Sequence, residues 1–154
     1  MQDSALLITF TVDRERFGIQ HGAIDEIIEL GSIAPVPKAP PEIAGVYNHR
    51  GKILTIIDFD ELAGRSAKEN GKSRYLVILS GIFSHLGLLV RSRPTAVRLE
   101  RFERGALHLA HKLYNILDPP VIDSDGIYNM VSPEKMIQYL HESIIEDRLL
   151  TGVK

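Results

Sequence analysis

Gly45-Val46-Tyr47-Asn48-His49-Arg50-Gly51-Lys52-Ile53-Leu54, running on to Ile57-Asp58, is the stretch that decides the fold. Ile43 to Tyr47 reads as a strand, Asn48-His49-Arg50-Gly51 as a tight turn, and Lys52 to Ile57 as the returning strand. Asp58 followed by Glu61 fits a helix N-cap with its capping-box partner, opening a short helix that stops near Gly64. A strongly apolar hairpin that ends in a cap is a unit of a β-rich domain. Arg50 lies in its turn, where a long charged side chain between apolar strands calls for a partner. Glu26, in the segment before a proline-rich connection, is the candidate.

The same grammar recurs on both sides. Leu6, Ile8, Phe10 and Val12 alternate with Leu7, Thr9 and Thr11, a period-2 strand. Asp13-Arg14-Glu15 turns it, and Phe17-Gly18-Ile19 starts the return. Ile24, Ile27 and Ile28 recur at helical spacing and predict a short helix or helical turn, although their β-branching leaves a strand open. Residues 31 to 42 hold four of the eight prolines, so neither helix nor central strand continues through them.

Further along, Arg65 to Ser73 is polar and reads as a lobe boundary or exposed loop. Arg74 to Ser80 and Leu86 to Arg91 form another hairpin through Gly81 to His85, Pro94 ends it, and Thr95 to Glu100 alternates weakly. Lys112 to Leu117 is predicted as a strand. Asp123-Ser124-Asp125-Gly126 is a tight turn into a strand over Ile127 to Val131. Ser132, Pro133 and Glu134 suit the first turn of a C-terminal helix, with Met136, Ile137, Leu140, Ile144 and Leu149 near one stripe. Many short strands with frequent turns and one terminal helix make an all-β barrel class.

Composition narrows the function. The chain has 154 residues, 44% apolar and 25% charged, with net charge −2, so neither disorder nor general affinity for nucleic acid or an anionic membrane is indicated. No apolar run reaches the roughly 20 residues of a membrane-spanning helix, and Met1 to Ala5 lack the basic start of a secretory signal. There is no cysteine, hence no disulfide or thiolate chemistry. A cytoplasmic protein is expected. Six acidic against two basic residues lie between Met1 and Leu30, whereas five arginines face two glutamates between Arg91 and Arg104. Two solvated faces explain this; two oppositely charged partner surfaces, the basic one including Arg91, Arg93, Arg98 and Arg101, are the sharper reading.

Catalytic and metal motifs fail on inspection. Gly71-Lys72-Ser73 imitates the tail of a phosphate-binding loop, but Ser66 stands where its first glycine belongs. Asp123, Asp125 and Glu134 imitate calcium-loop ligands, yet Tyr128 replaces the required glycine. His108 and His111 lack a carboxylate at ligand spacing. No nucleophile-elbow motif supports a triad built from Ser84 and His85. No catalytic residue, metal or cofactor is assigned.

Taken in order, these segments resemble the CheW family. Phe17-Gly18-Ile19 is similar to its opening aromatic-Gly-Ile strand, Ile24-Asp25-Glu26-Ile27-Ile28 to its Val-x-Glu-Ile segment, and Val36-Pro37-Lys38-Ala39-Pro40 to its proline-bearing loop. The block from Gly45 to Leu54 resembles Gly-Val-x-Asn-x-Arg-Gly-x-(apolar)₂. Gly87-Leu88-Leu89-Val90 resembles a Gly-x-x-Val strand, and Met130 to Ile137 the final strand and helix entry. The resemblance implies one domain over 1–154 made of two small five-stranded SH3-like β-barrels packed around a shared core, with short helices and a C-terminal helix. The first barrel would cover about 5–64, completed by 132–150, and the second about 74–131.

It further implies a non-catalytic adaptor that binds the regulatory domain of a CheA-type histidine kinase and the cytoplasmic tips of methyl-accepting chemoreceptors. Glu26 and Arg50 match a charged pair that keeps the binding-competent shape, Ile24 matches an apolar groove position, and Asn48 and Gly51 belong to the same turn. Arg91 stands where the family usually has an acidic residue, His49 where it usually has an apolar one, and the usual glycine near Leu113 to Leu117 is missing. A divergent regulator or decoy keeping one interface is the alternative, a small-molecule or metal-binding enzyme a more distant one. The terminal helix could also serve self-association.

Overall fold

The computed structural model describes residues 4–64 and 73–151, with side chains of the last helix through residue 143. Gly71, Lys72 and most of the polar 65–73 stretch therefore lie outside the described residues, as do the side chains of Ile144 and Leu149. Among the described residues, eleven strands form two sheets. β1 (Ala5–Val12) and β2 (Glu15–Gln20) pair through Asp13 and Arg14, both at positive φ, a two-residue turn whose twist matches its strands. β3 (Ile24–Glu29) follows, then β4 (Ile43–His49) and β5 (Lys52–Asp58), joined by Arg50 and Gly51 in the same left-handed geometry. Helix α1 (Phe59–Leu62), β6 (Tyr75–Leu79), β7 (Leu86–Val90), β8 (Thr95–Leu99) and the short β9 (Glu103–Arg104) lead to the β10 (Leu117–Asp123) and β11 (Gly126–Val131) hairpin and to helix α2 (Pro133–Thr151).

Three apolar clusters account for the layers. One sheet has the order β8-β1-β2-β11-β10-β9, and Leu7, Leu99, Phe102, Val121, Tyr128 and Met130 pack together on one of its faces. The other has the order β3-β6-β7-β5-β4, with Leu54, Ile56, Leu76, Ile78 and Leu89 forming its own cluster with Leu30. The opposite faces meet in the largest cluster, where Phe10, Phe17 and Ile19 of the first sheet face Val77, Leu79, Leu88 and Val90 of the second. Phe59 of α1 makes edge contacts at 4.9 Å with both Phe10 and Phe17, and Met136 and Leu140 of α2 close the same core. Strand periodicity assigns each residue to its cluster: Leu76 and Ile78 face one way, Val77 and Leu79 the other. The shared-core architecture is as expected, with six strands in one sheet rather than five.

Each sheet draws strands from both of the expected lobes, 5–64 and 74–131. The opening hairpin pairs with β8 and, in parallel, with β11, whereas β6 and β7 join β3, β4 and β5. Local periodicity marks strands but not their distant partners. Ile24 to Ile28 is a strand, its burial alternating between half-buried and exposed, so β-branching prevails over the helical spacing. Lys112 to Leu117 is not a strand: Tyr114–Ile116 is a 3₁₀ turn, and the strand starts at Leu117. That strand carries Pro119 and Pro120 at a bulge between Asp118 and Val121, where the ladder needs no N–H. The bulge also flips the face, placing Leu117 in the shared core and Val121 in the first sheet's own cluster.

Both caps hold. Asp58 accepts from the N–H groups of Asp60 and Glu61 at 3.0 and 3.4 Å, and Ser132 Oγ accepts from Lys135 N at 3.2 Å. Asp123 Oδ1 accepts from Asp125 N and Gly126 N, which spends that carboxylate on the turn. Among the described residues, no group of three or more His, Asp or Glu is placed to hold a metal ion, and no helix is long and apolar enough to cross a membrane.

Candidate partner-docking site

β3 and β4 are the two outer strands of the second sheet, and the chain closes the gap between them. Ala34, in the proline-rich connection, exchanges two backbone hydrogen bonds with Val46 of β4, at 3.0 and 2.8 Å. The other link is made by side chains. Arg50 Nη1 and Nη2 donate to Glu26 Oε1 and Oε2 at 3.3 and 3.2 Å, a bidentate fork from the β4–β5 turn onto β3. The turn holds its shape because Asn48 Oδ1 accepts from Gly51 N at 2.8 Å and Gly51 adopts a φ of 84°. Ile24, at the start of β3, pairs with Leu79 and packs against the shared core. The structure thus brings Glu26, Asn48, Arg50 and Gly51 to one corner and sets Ile24 two residues along β3 from it.

Arg50 is 76% exposed and Glu26 30%, so this is a surface ion pair and not a buried one. Its direct contribution to stability is then at most about 1 kcal/mol. A residue that the sequence marks only as a departure completes it: His49 Nε2 lies 3.1 Å from Glu26 Oε1, and the His49 side chain is only 18% exposed. No sequence signal names this contact, because alternation fixes the face of a residue and not its partner across two outer strands.

Arg91, one of the predicted partner-surface residues, is engaged within the fold. It faces inward, donating to Asp58 Oδ1 and Oδ2 at 2.7 and 2.9 Å, with Asp58 7% and Arg91 20% exposed. It ties the end of β7 to the N-cap of α1. Asp60 lies 3.7 Å away; burial pushes its carboxyl up, and Arg91 pulls it back down. Arg93, Arg98 and Arg101 are exposed, on and beside the edge strand β8. A further polar knot escaped the sequence reading altogether. Glu15 takes a short contact from His111 and accepts from Asn129 at 3.1 Å. Leu113 N donates to His111 Nδ1, so the proton of the neutral ring sits on Nε2, facing Glu15. This knot fastens the 111–113 segment to the first hairpin.

A sheet that is closed by Glu26 and Arg50, sharing its second face with the other sheet, reproduces the pattern that the sequence blocks suggested. The profile of the CheW-like domain matches residues 6–138. The chain belongs to the CheW-like domain family. The chemotaxis protein CheW of Rhizobium meliloti (strain 1021) is 36% identical over 85 residues, covering 54% of each chain. The chemotaxis protein CheW of Treponema pallidum (strain Nichols) is 32% identical over 88 residues, 54% of this chain and 52% of that one. Protein FrzA of Myxococcus xanthus is 28% identical over 75 residues, 48% and 47% of the two chains. The chain thus matches about half the length of these curated relatives. In three dimensions the CheW-like fold is shared with the scaffolding protein TtCheW of Thermoanaerobacter tengcongensis, at TM-score 0.70 and 20% identity, over 83% of this chain and 88% of that one.

Proposed function

We propose that this CheW-like chain is a non-catalytic adaptor that couples chemoreceptors to a CheA-type histidine kinase in chemosensory signalling. Its partners are the regulatory domain of the kinase and the cytoplasmic tip of methyl-accepting chemoreceptors, with no nucleic acid and no membrane insertion, and it works in the cytoplasm, recruited to receptor arrays through those partners. The observation that carries this reading is the Glu26–His49–Arg50 corner at the seam of a CheW-like sheet. An exposed, preorganised guanidinium on a two-residue turn is a docking feature, and its small value to stability leaves recognition as its use. Two chemistries of surface favour two partners: this corner, and the exposed arginines 93, 98 and 101 at the β8 edge.

Calorimetric titration with the kinase regulatory domain of the same organism tests the reading. Micromolar or tighter binding, about −8 kcal/mol, is expected. Absence of binding by two methods would leave the regulator or decoy with one interface, for which the exposed arginines of the β8 edge are the motive.

Two predictions attach here. Glu26→Ala and Arg50→Ala each weaken binding of the receptor tip, change stability by no more than about 1 kcal/mol, and in combination lose little more than either alone. Additive losses in a double-mutant cycle would show that the residues do not act as a pair. Reversing the charges of Arg93, Arg98 and Arg101 changes the affinity and salt dependence for one partner and spares the other. An unchanged salt slope for both partners would return that edge to plain solvated surface.

A further inference from the structure

The Glu26 carboxylate gathers three donor contacts from two cationic or titratable side chains. Its Oε1 is shared by His49 Nε2 at 3.1 Å and Arg50 Nη1 at 3.3 Å, while Oε2 takes Arg50 Nη2 at 3.2 Å. An ionised carboxylate only accepts, so His49 Nε2 must carry a hydrogen in this contact. A second proton would therefore add at Nδ1, leaving the contact in place and changing only the charge. Imidazole is the side chain whose charge changes in the physiological range.

The groups around His49 are few. Glu26 faces it from β3, Arg50 from the turn, and the Tyr47 ring of its own strand stacks at 6.3 Å. Lys52 of β5 is its cross-strand partner, and that amine donates to Ser84 Oγ at 2.8 Å. Asp25 and Glu29 lie on the same strand as Glu26, both exposed. With His49 neutral, Glu26 is balanced by Arg50. With His49 protonated, the shielded imidazolium balances Glu26 from below, and the guanidinium, 76% exposed, becomes surplus charge at the surface.

We propose that His49 is a positioning residue of the docking corner: it holds Glu26 in its fork with Arg50 and, on protonation, gives that corner a net positive charge that attracts an acidic group on the partner. The inference rests on the reading that this corner docks a receptor tip, and it deepens that reading by giving the corner a proton-controlled affinity. The proton comes from solvent and goes to Nδ1; nothing else is exchanged. His49→Leu returns the position to an apolar residue, and His49→Gln keeps a neutral donor toward Glu26 without a titrating group.

The test is titration of the full chain with a soluble receptor cytoplasmic fragment bearing the tip, at constant ionic strength. Wild type is expected to bind about three- to fivefold more tightly near pH 6 than near pH 8, the upper end of what one exposed charge contact contributes. His49→Leu and His49→Gln should each vary less than about twofold over the same range, which removes the partner's own titration from the comparison. Arg50→Ala should be weak and flat. A wild-type profile that is flat, that loosens toward acid, or that matches both His49 variants would overturn the inference, while loss of binding in Arg50→Ala would still uphold the docking reading. Arg50→Ala binding as wild type does would overturn both.

Discussion

Replacing Arg91 with methionine lowers the unfolding free energy by about 3–5 kcal/mol, because it leaves a buried carboxylate without its counter-ion. Asp58 is 7% exposed and holds two hydrogen bonds from Arg91 while capping α1. Water cannot replace the guanidinium at that exposure. Asp60 aggravates the loss, since burial already raises its carboxyl and Arg91 is what lowers it. The sign follows: a carboxyl raised in the fold opposes folding when ionised, that cost is full above its folded pKa, and it is relieved as pH falls through it. The deficit of Arg91→Met should therefore narrow on acidification. Asp58→Asn combined with Arg91→Met should lose much less than Arg91→Met alone, because asparagine still caps the helix and no charge is stranded. Urea unfolding with unchanged slope reads all three. An Arg91→Met variant within about 1 kcal/mol of wild type would show that the pair is solvated.

Gly45→Ala is expected to cost about 3 kcal/mol or more, from overpacking joined to backbone strain. Gly45 has a φ of 151°, and an added Cβ would come within 2.9 Å of the Ala34 carbonyl carbon and closer still to its oxygen. That carbonyl accepts from Val46 N in the bridge that closes the second sheet, so the backbone cannot yield without opening it. The hairpin carrying His49 and Arg50 starts beside this bridge, and receptor-tip affinity should fall along with stability. Gly87→Ala makes the instructive contrast. Its Cβ would meet Leu76 Cδ1 at 2.5 Å, but a side chain can turn aside, so about 1–3 kcal/mol is expected with docking preserved. Thermal unfolding and titration of both variants check the pair. Equal losses of stability and affinity in the two would show that the bridge has no special bearing on the corner.

The legible parts of this molecule were those written within a few residues. The hairpins at Asp13-Arg14 and Arg50-Gly51, the Asp58 and Ser132 caps, and the Asp123 turn each rest on contacts spanning four residues or fewer, and each was readable. The division into sheets was not, because β1 against β8 joins residues about ninety apart and two of the pairings are parallel. Pairing at that range follows from packing of the whole core, which no local period records. Arg91 illustrates the same limit at the site: it opens an arginine-rich stretch of sequence, while its partner is Asp58, 33 residues earlier. Glu26 and Arg50 were readable as a pair because a turn cation needs an anion, the segment before the proline-rich connection offers Glu26, and the family resemblance points to the same two residues. Their exposure was not readable, and neither was the third member, His49.

Co-sedimentation with receptor-bearing vesicles tests the adaptor claim most directly. Vesicles carrying the cytoplasmic receptor fragment are mixed with the CheA-type kinase, with and without this chain, and the kinase in the pellet is measured. The kinase is expected to be retained with the vesicles only when the chain is present, and Arg50→Ala to abolish most of that retention. A chain that pellets with the receptor while the kinase stays in solution, or a kinase that pellets equally without it, would contradict coupling.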